Sequence, residues 1–325
     1  MFEKAEKLGL GGIPIQAGGL EKAKELISVM TMDGYHVIDS AKGYSVSEEW
    51  FGEALIGRRQ RFYLCSKSMA RDKNQIAKDI DDSLEKFQTD YLDLYQIHNL
   101  TKKEDYEKIK AEDGALAALI EAKEAGKIKH IGVSSHSIDF ISSILDEGIF
   151  EAIQLPYNII EEKAEEVFKK AKEKGITTMA MKPLCGGVLE DYHLALSFFN
   201  QNSYCDVILV GMENSEEYIK NQVAITEEYD LECQKRALKL KEELGDKFCR
   251  RCGYCMPCPE GINIPIMWLV EAYANRYMLW DWAKARYDAE KVRAIDCNGC
   301  KQCESLCPYN LEICLKMEEV ANLFK

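Results

Sequence analysis

The chain has 325 residues, of which 46% are hydrophobic, and its formal net charge is −13 at pH 7. This length accommodates one large and one small domain, and the acidic balance argues against nucleic acid as a partner. No stretch is apolar enough to span a membrane and the charged start Met1–Lys7 lacks the apolar core of a secretion signal, so we expect a cytoplasmic protein with no membrane partner.

Short β-rich apolar runs alternate with helical patterns in the first two thirds of the chain, which predicts parallel strands joined by crossover helices. Eight strands are predicted: Leu8–Ile13, Tyr35–Asp39, Phe62–Ser66, Leu92–His98, His130–Ser134, Ala152–Leu155, Thr177–Met181 and Val207–Val210. The clearest helical pattern is Lys73–Phe87, with apolar residues on one face. Eight β/α units predict an α/β fold of the TIM (β/α)8 barrel type. A doubly wound sheet is the alternative, although no Gly-x-Gly-x-x-Gly follows an early strand.

Polar side chains follow the predicted strands on the face of the barrel where active sites lie. Asp39 ends strand two and Tyr44 follows it, Lys67 follows strand three, and His98 ends strand four. A Lys ammonium beside a phenol favours the ionised phenol, and a buried Asp keeps the Lys charged. Tyr44 can then exchange a proton with a carbonyl oxygen near neutral pH, and His98 can orient the same oxygen.

Eight of the thirteen cysteines form two runs near the C-terminus, and each run ends in Cys-Pro. The first run is Cys249, Cys252, Cys255 and Cys258, and the second is Cys297, Cys300, Cys303 and Cys307. The second has the C-x2-C-x2-C-x3-C-P spacing of bacterial ferredoxins. Two such runs predict two 4Fe–4S clusters, because cluster iron prefers thiolate ligands. Zinc is the alternative for C-x2-C pairs, and disulfides are disfavoured in a reducing cytosol.

In two-cluster ferredoxins the last cysteine of each run binds the cluster of the other run. This rule gives one cluster the ligands Cys249, Cys252, Cys255 and Cys307, and the other the ligands Cys297, Cys300, Cys303 and Cys258. Between the runs, Ile266–Tyr273 and Trp280–Ala283 predict helices with a broad apolar face, as in the α-helical type of ferredoxin module. The other cysteines are expected to be small buried hydrophobic residues: Cys65, Cys185, Cys205, Cys233 and Cys314.

With these motifs, nearly the whole chain resembles the aldo-keto reductases, in the branch that carries a C-terminal four-iron–four-sulfur module. The resemblance implies a barrel over residues 1–228 and a helical ferredoxin-like domain over residues 229–325. It implies that Asp39, Tyr44, Lys67 and His98 form the catalytic tetrad. The coenzyme contacts that it implies are Ser134, Ser135 and Gln154 at the nicotinamide, Lys182 after strand seven, and Gly211, Met212, Ser215, Glu217 and Asn221 at the adenosine phosphate end.

Two stretches depart from the family pattern. Met181 and Lys182 stand where the family has an aromatic residue that stacks on the nicotinamide, and Lys182 is expected to meet a phosphate or a substrate carboxylate instead. Three carboxylates, Glu213, Glu216 and Glu217, stand where the family offers Lys or Arg to the 2′-phosphate of NADPH. Like-charge repulsion therefore predicts that NADP(H) binds no better than NAD(H). The helix that begins near Ser215 can still hold a pyrophosphate through its amides.

Three functions remain open from the sequence. The first, which we rank highest, is an iron–sulfur aldo/keto reductase-like oxidoreductase. Its barrel transfers hydride between NAD(P)H and a small carbonyl or alcohol substrate with Tyr44 as general acid/base, and its clusters exchange electrons with an electron-carrier protein. A flavin would bridge the two-electron and one-electron chemistry. The second is a carbonyl reductase whose clusters only stabilise the C-terminal fold. The third is an electron-transfer or redox-sensing protein on an inactive barrel.

Overall fold

The computed structural model describes residues 1–245 and 247–325, which divide into two compact units. The first unit comprises Met1–Cys185 and Leu189–Asp230, and the second comprises Gly186–Val188 and Leu231–Lys325. The main division thus falls close to the expected boundary at residue 228, whereas the grouping of Gly186–Val188 with the second unit had no sequence signal. Within the described residues, no helix combines the length and the apolar character needed to cross a membrane.

The first unit is a closed barrel in which every strand runs parallel to its neighbours and β8 pairs with β1. The strands are β1 (Leu8–Gly11), β2 (His36–Asp39), β3 (Phe62–Ser68), β4 (Leu92–Ile97), β5 (Ile128–Ser134), β6 (Ala152–Pro156), β7 (Thr177–Met181) and β8 (Val207–Gly211). The predicted TIM barrel is therefore confirmed. Strand β1 ends at Gly11 and not at the predicted Ile13, since Pro14, which has no N–H for a ladder, leads into the first helix.

Ten helices surround this barrel among the described residues. They are α1 (Ile15–Gly18), α2 (Leu20–Met32), α3 (Ser47–Ala54), α4 (Lys73–Phe87), α5 (Lys103–Lys110), α6 (Ala115–Glu124), α7 (Ile138–Ile144), α8 (Glu165–Glu173), α9 (Tyr192–Ser197) and α10 (Ser215–Ala224). Helix α4 has the predicted bounds. It begins where Asp72 accepts a hydrogen bond from the amide of Gln75, and it ends at Gln88, which adopts a left-handed conformation.

The barrel interior is divided into an apolar layer and a polar layer. The apolar layer is one buried cluster with residues from six strands. They are Val37 of β2, Cys65 of β3, Leu94 of β4, Ala152 of β6, Met179 of β7, and Val207 and Leu209 of β8. Partly buried residues of the N-terminal segment, Met1, Phe2 and Ala5, pack against it. Because side chains alternate along a strand, the residues two positions further on point into the barrel one layer higher. This higher layer carries the polar residues described below.

The second unit is helical, as predicted. Its helices are α11 (Leu231–Leu244), α12 (Ile264–Asn275), α13 (Trp280–Ala289), α14 (Gln302–Ser305) and α15 (Ile313–Leu323). Helix α12 has a proline in its first turn, where the missing N–H costs nothing. The core of this unit contains Met267 and Val270 of α12 together with Met317 and Val320 of α15. Two helices, α12 and α13, therefore separate the two cysteine runs.

Candidate active site and iron–sulfur sites

Four strands carry a buried polar residue two positions after a residue of the apolar layer. The pairs are Val37 and Asp39 on β2, Cys65 and Lys67 on β3, Leu94 and Gln96 on β4, and Ala152 and Gln154 on β6. All four polar side chains are at least 96% buried, and the alternation of a strand turns them into the barrel. They form a polar layer at the carboxyl ends of the strands, which is the catalytic face of this fold.

Asp39 and Lys67 form a buried ion pair at the centre of this layer. Lys67 Nζ lies 2.5 Å from Asp39 Oδ2 and also donates to the carbonyl oxygen of Ser40 at 2.7 Å. Burying either charge alone would be strongly unfavourable, so each requires the other and the hydrogen bonds around them. The predicted neighbours are therefore in contact, and the ammonium is fixed in one position.

Tyr44 and His98 lie above this pair, and both are partly exposed. Tyr44 sits in the loop after β2, where its amide donates to the carbonyl of Ala41. The Lys67 ammonium lies 5.0 Å from the centroid of the Tyr44 ring. The ring of His98 meets that of Tyr44 edge to face, with centroids 6.0 Å apart. The four residues predicted as a tetrad are thus brought together, with the two aromatic members accessible to a substrate.

Two glutamines complete the surroundings of Asp39. Gln154 Nε2 donates to Asp39 Oδ2 at 3.0 Å, and Gln96 Nε2 donates to Asp39 Oδ1 at 3.3 Å and to Gln154 Oε1 at 2.9 Å. Gln154 was predicted beside the nicotinamide, and the structure places its side chain on the ion pair. Gln96 was not predicted. Its position two residues after the apolar Leu94 was the signal that could have revealed it.

The serines predicted at the nicotinamide take part in the loops that follow β4 and β5. Ser134 Oγ accepts a hydrogen bond from the amide of Asn99 at 3.0 Å. Ser135 Oγ donates to the carbonyl of Leu100 at 2.6 Å, and its amide donates to the carbonyl of Gln154. Both side chains are buried and fix the loops at the mouth of the barrel. Their contact with a coenzyme stays a prediction.

Lys182 directly follows β7 in a left-handed conformation, with φ of 58°. Such a conformation is uncommon outside glycine and needs support from the surroundings. Here the Lys182 carbonyl accepts hydrogen bonds from Asn158 Nδ2 at 3.0 Å and from the amide of Cys185 at 2.9 Å. These two hydrogen bonds hold the backbone at this strand end, so the direction of the Cα–Cβ bond of Lys182 is fixed.

The residues predicted at the adenosine phosphate end lie around the start of α10. At Gly211 a Cβ would approach Pro14 Cγ to 2.6 Å, so only glycine fits there. Met212 is fully buried, and Asn221 is buried further along the helix. Asn214 caps the helix by accepting from the amide of Glu217 at 3.0 Å. The first-turn amides that Asn214 does not cap fit an anionic group.

Carboxylates crowd this helix start. Glu217 Oε2 accepts from the amide of Glu213 at 2.9 Å, and Glu25 accepts from the Ser215 hydroxyl. Burial, with the nearby Glu217 carboxylate, raises the pKa of Glu213. Glu216 is exposed and pairs with Lys220 at 2.7 Å. Glu25 was missed because it comes from α2, far away in the sequence. A second phosphate placed here would face several negative charges.

The first candidate cluster site contains thiols from both cysteine runs. Burial, with the neighbouring thiolates of Cys249, Cys252 and Cys307, raises the pKa of Cys255 to about 12. This places Cys307, from the second run, with the first three cysteines of the first run, as the crossing rule predicted. The amide of Arg251 donates to Cys249 Sγ at 3.3 Å. Sulfur-directed amides of this kind suit a cluster ligand.

Arg250 lies within the same run and is only 4% exposed. Its guanidinium carbon lies 3.9 Å from the centroid of the Phe248 ring and 4.2 Å from that of the Tyr309 ring, and Nη1 donates to the carbonyl of Phe248. Among the described residues, Nε has no hydrogen-bond partner. A buried cation with an unused donor beside four cysteines fits a negatively charged iron–sulfur cluster, which would supply the missing acceptor and balance the charge.

The second candidate cluster site is a cavity between the two runs. Cys258 of the first run and Cys297, Cys300 and Cys303 of the second line it. These are the four ligands predicted for the second cluster. Across residues 1–245 and 247–325, no three Cys, His, Asp or Glu side chains converge on the position of one metal ion. A four-iron cluster needs no such convergence, since each of its thiolates binds a different iron atom.

Cys314 also lines this second cavity, although it belongs to neither run. It was predicted to be a buried hydrophobic residue, and that prediction was wrong. The other cysteines outside the runs are buried, as predicted, in the case of Cys65, Cys185 and Cys205, whereas Cys233 is partly exposed. Cys314 lies outside both motifs in the sequence, and it reaches the cavity only because α15 begins beside it.

Comparison with known proteins identifies both units. Residues 7–239 match the model of the aldo/keto reductase family, and residues 248–312 match a 4Fe-4S dicluster domain. The second match favours iron–sulfur clusters over the zinc alternative. It also agrees with the two cysteine runs, since all eight of their cysteines lie inside the matched range.

Relatives and solved structures agree with this assignment. Aldo-keto reductase YhdN of Bacillus subtilis is 33% identical over 209 residues, which are 57% of this chain and 60% of YhdN. Methylglyoxal reductase DkgA of Yersinia pestis is 31% identical over 144 residues, which are 43% of this chain and 49% of DkgA. The alignments thus cover less than two thirds of either relative.

Among solved structures, the holo form of an aldo-keto reductase from Bacillus halodurans gives a TM-score of 0.63 at 23% identity, over 73% of this chain and 92% of that chain. An aldo-keto reductase from Klebsiella pneumoniae in complex with NADPH gives 0.60 at 21% identity, over 73% and 91%. At these identities the likeness shows the fold. Because the family model matches well over half of this chain, the chain belongs to the aldo/keto reductase family, in the branch with a C-terminal 4Fe–4S dicluster domain.

Proposed function

We propose that this protein transfers hydride between a nicotinamide coenzyme and a small carbonyl or alcohol substrate, and that its clusters exchange electrons with an electron-carrier protein. One observation carries the first part. The buried Asp39–Lys67 ion pair fixes an ammonium 5.0 Å from the ring of the accessible Tyr44. A cation held in this position favours the ionised phenol, which is what a tyrosine needs to act as a general acid and base.

The roles of the side chains follow from this geometry. A bound reduced nicotinamide supplies the hydride for the carbonyl carbon. Tyr44 donates its hydroxyl proton to the carbonyl oxygen as negative charge develops there. Lys67 stabilises the resulting phenolate, and Asp39 keeps the ammonium in place. His98 hydrogen-bonds the same oxygen and orients it. Tyr44 is partly exposed and regains its proton from water, and the reverse sequence serves an alcohol.

The start of α10 supports a coenzyme preference. Its uncapped amides suit a pyrophosphate, whereas the carboxylates of Glu25, Glu213, Glu216 and Glu217 oppose an additional 2′-phosphate. NAD(H) should therefore serve at least as well as NADP(H). In this arrangement Lys182, after β7, would meet a phosphate or a carboxylate of the bound molecules.

The clusters would be held by Cys249, Cys252, Cys255 and Cys307 at the first site and by Cys258, Cys297, Cys300 and Cys303 at the second. Bound clusters supply one-electron transfer, whereas the nicotinamide supplies two electrons at once. A flavin is the cofactor class that could pass electrons between them. A carbonyl reductase with purely structural clusters is the second candidate, favoured by the small core of the helical unit, to which metal binding can add folding free energy.

The experiment that tests this function uses protein purified without oxygen and a panel of small aldehydes and ketones. We expect the carbonyl compound to cause oxidation of NADH, at a rate equal to or greater than that with NADPH at the same concentration. The absorbance of the reduced nicotinamide measures both rates. The variant Glu216→Arg is a matched test of the coenzyme preference, because Glu216 is exposed and lies in the first turn of α10.

Glu216→Arg should raise the rate with NADPH and leave that with NADH unchanged. A clear preference of the natural protein for NADPH would contradict the coenzyme proposal alone. No oxidation of either coenzyme with any carbonyl compound, by protein that contains its iron, would contradict the enzymatic proposal.

A further inference from the structure

The second cluster site contains one thiol more than a cluster needs. Four cysteines of the two runs line its cavity, and Cys314 lines it as well. Cys314 is the second residue of α15, and its amide donates to Glu304 Oε1 on α14 at 2.9 Å. This hydrogen bond ties the start of α15 to the helix that carries Cys303. The fifth thiol is therefore held beside the motif by the fold.

Cys314 is tied to the neighbourhood of one particular ligand. Glu304, whose carboxylate accepts the hydrogen bond from the Cys314 amide, directly follows Cys303 in the chain, and both cysteines line the cavity. At the first site, by contrast, the thiols that surround Cys255 are the three predicted ligands Cys249, Cys252 and Cys307. The additional thiol thus distinguishes the second site from the first.

We propose that Cys314 is an alternative ligand of the second cluster, able to bind the iron atom that Cys303 binds. In this exchange the bond between iron and Cys303 Sγ breaks and a bond to Cys314 Sγ forms. Cys314 releases its proton, Cys303 takes one up, and no oxidation state changes. The cluster then survives the loss of its Cys303 bond. The proposal depends on the second run binding a cluster, which the iron content of the natural protein checks separately.

The test compares Cys303→Ala, Cys314→Ala and the double variant, all purified without oxygen, by iron and sulfide content and by electron paramagnetic resonance after reduction. The natural protein should contain about eight irons, as two four-iron clusters require. Cys303→Ala and Cys314→Ala should each keep both four-iron clusters. The double variant should lose the second cluster or keep it only in a three-iron form. The variant Cys303→Ala/Cys233→Ala is the control, because Cys233 lies in α11 outside both runs, and it should behave like Cys303→Ala.

The proposal is overturned if Cys303→Ala loses as much iron as the double variant. Alkylation provides a second measurement that does not need the double variant to fold. Cys314 is partly exposed and, at an alkaline pH at which its thiolate forms, should react with iodoacetamide in the natural protein, as mass spectrometry of its peptide would show. In Cys303→Ala it should be protected by iron. Equal alkylation of Cys314 in both proteins would also overturn the proposal. About four irons in the natural protein would instead contradict the assignment of the second cluster itself.

A different observation distinguishes the first site by its charge. Arg250 is buried there with its Nε unpartnered among the described residues, as described above. The corresponding position of the second run is Asn298, which is exposed and uncharged and donates to Glu260 Oε1 at 2.6 Å. Glu260 lines the second cavity, and Glu304 lies beside it through its bond to the Cys314 amide. The first site therefore holds a buried cation. The second is bordered by carboxylates and by Lys301, whose ammonium lies 4.0 Å from Glu304 Oε2 but is exposed to solvent.

We infer that Arg250 gives the first cluster the higher reduction potential, so that an electron entering the helical unit rests there. Reduction adds negative charge, which a buried cation stabilises and nearby carboxylates oppose. The unused Nε–H would strengthen the effect if it donated to a sulfide of the bound cluster. In a medium of low dielectric such a charge acts strongly, whereas an exposed charge is screened by water.

Redox titration followed by electron paramagnetic resonance tests this inference. Arg250→Gln should lower the potential of one cluster and leave the other unchanged, and Arg250→Lys should restore part of the difference. Arg251→Gln is the matched control, since Arg251 is the next residue but is more exposed, and it should cause a much smaller shift. Unchanged potentials in Arg250→Gln, or a shift confined to the second cluster, would overturn the inference. If Arg250→Gln does not bind iron, equal potentials in Arg250→Lys and the natural protein would count against the donor role of Nε.

Discussion

Replacing Lys67 with methionine is expected to lower kcat/KM for carbonyl reduction by about 10²–10⁴-fold, which is the range that general acid–base catalysis contributes. Methionine has a similar length but removes the ammonium that lies 5.0 Å from the Tyr44 ring. The phenolate of Tyr44 would then lack its stabilising charge. Because Asp39 stays buried without its partner and keeps only its hydrogen bonds from Gln96 and Gln154, we expect the variant to lose about 3–5 kcal/mol of stability, which thermal unfolding would measure. Rates measured with the best carbonyl substrate and NADH check this expectation.

Lys42→Met provides the matched control. Lys42 lies in the same loop as Tyr44, but its ammonium pairs with Asp82 at 2.7 Å, outside the polar layer. Lys42→Met should therefore reduce the carbonyl substrate at nearly the rate of the natural protein. Iron content should be the same in both variants, because Lys67 belongs to the barrel unit and both cysteine runs belong to the helical unit. If Lys67→Met retained full activity, the barrel would not use the proposed acid–base chemistry, and the electron-transfer or sensing function would gain support.

Cys255→Ser is expected to remove the first cluster and, with it, electron transfer from NADH to an external one-electron dye. Serine offers a poorer ligand than thiolate to cluster iron, so the iron content should fall from about eight to about four per chain. In the natural protein, NADH should bleach the visible absorption of the clusters. In the variant, dye reduction should be largely lost if electrons pass through both clusters in series.

Cys233→Ser is the control for this prediction, since Cys233 belongs to neither run, and it should retain iron and dye reduction. The amount of flavin released on denaturation decides whether a flavin links the two kinds of electron transfer. If NADH does not bleach the clusters and Cys255→Ser keeps the activity of the barrel, the clusters serve the stability of the helical unit. Thermal unfolding of Cys255→Ser would then show a loss of stability without a loss of carbonyl reduction.

The amino-acid sequence alone determined the features that depend on local spacing. The eight strands followed from β-rich runs, the two cysteine runs from their fixed intervals, and the meeting of Asp39, Lys67 and His98 from their places at strand ends. Strand ends of a parallel barrel share one face, so knowledge of the strands is enough to bring such residues together. The helix Lys73–Phe87 was equally readable, because its apolar face repeats with the helical period.

Only the tertiary structure decided the contacts between residues that are distant in sequence and have no regular spacing. Gln96 and Gln154 turn to Asp39 because their strands meet inside the closed barrel. Glu25 reaches Ser215 because α2 packs next to the start of α10. Cys314 enters the second cluster site because α15 returns to α14. Each of these contacts depends on how whole elements pack in three dimensions, and neither composition nor periodicity encodes that packing at a single residue.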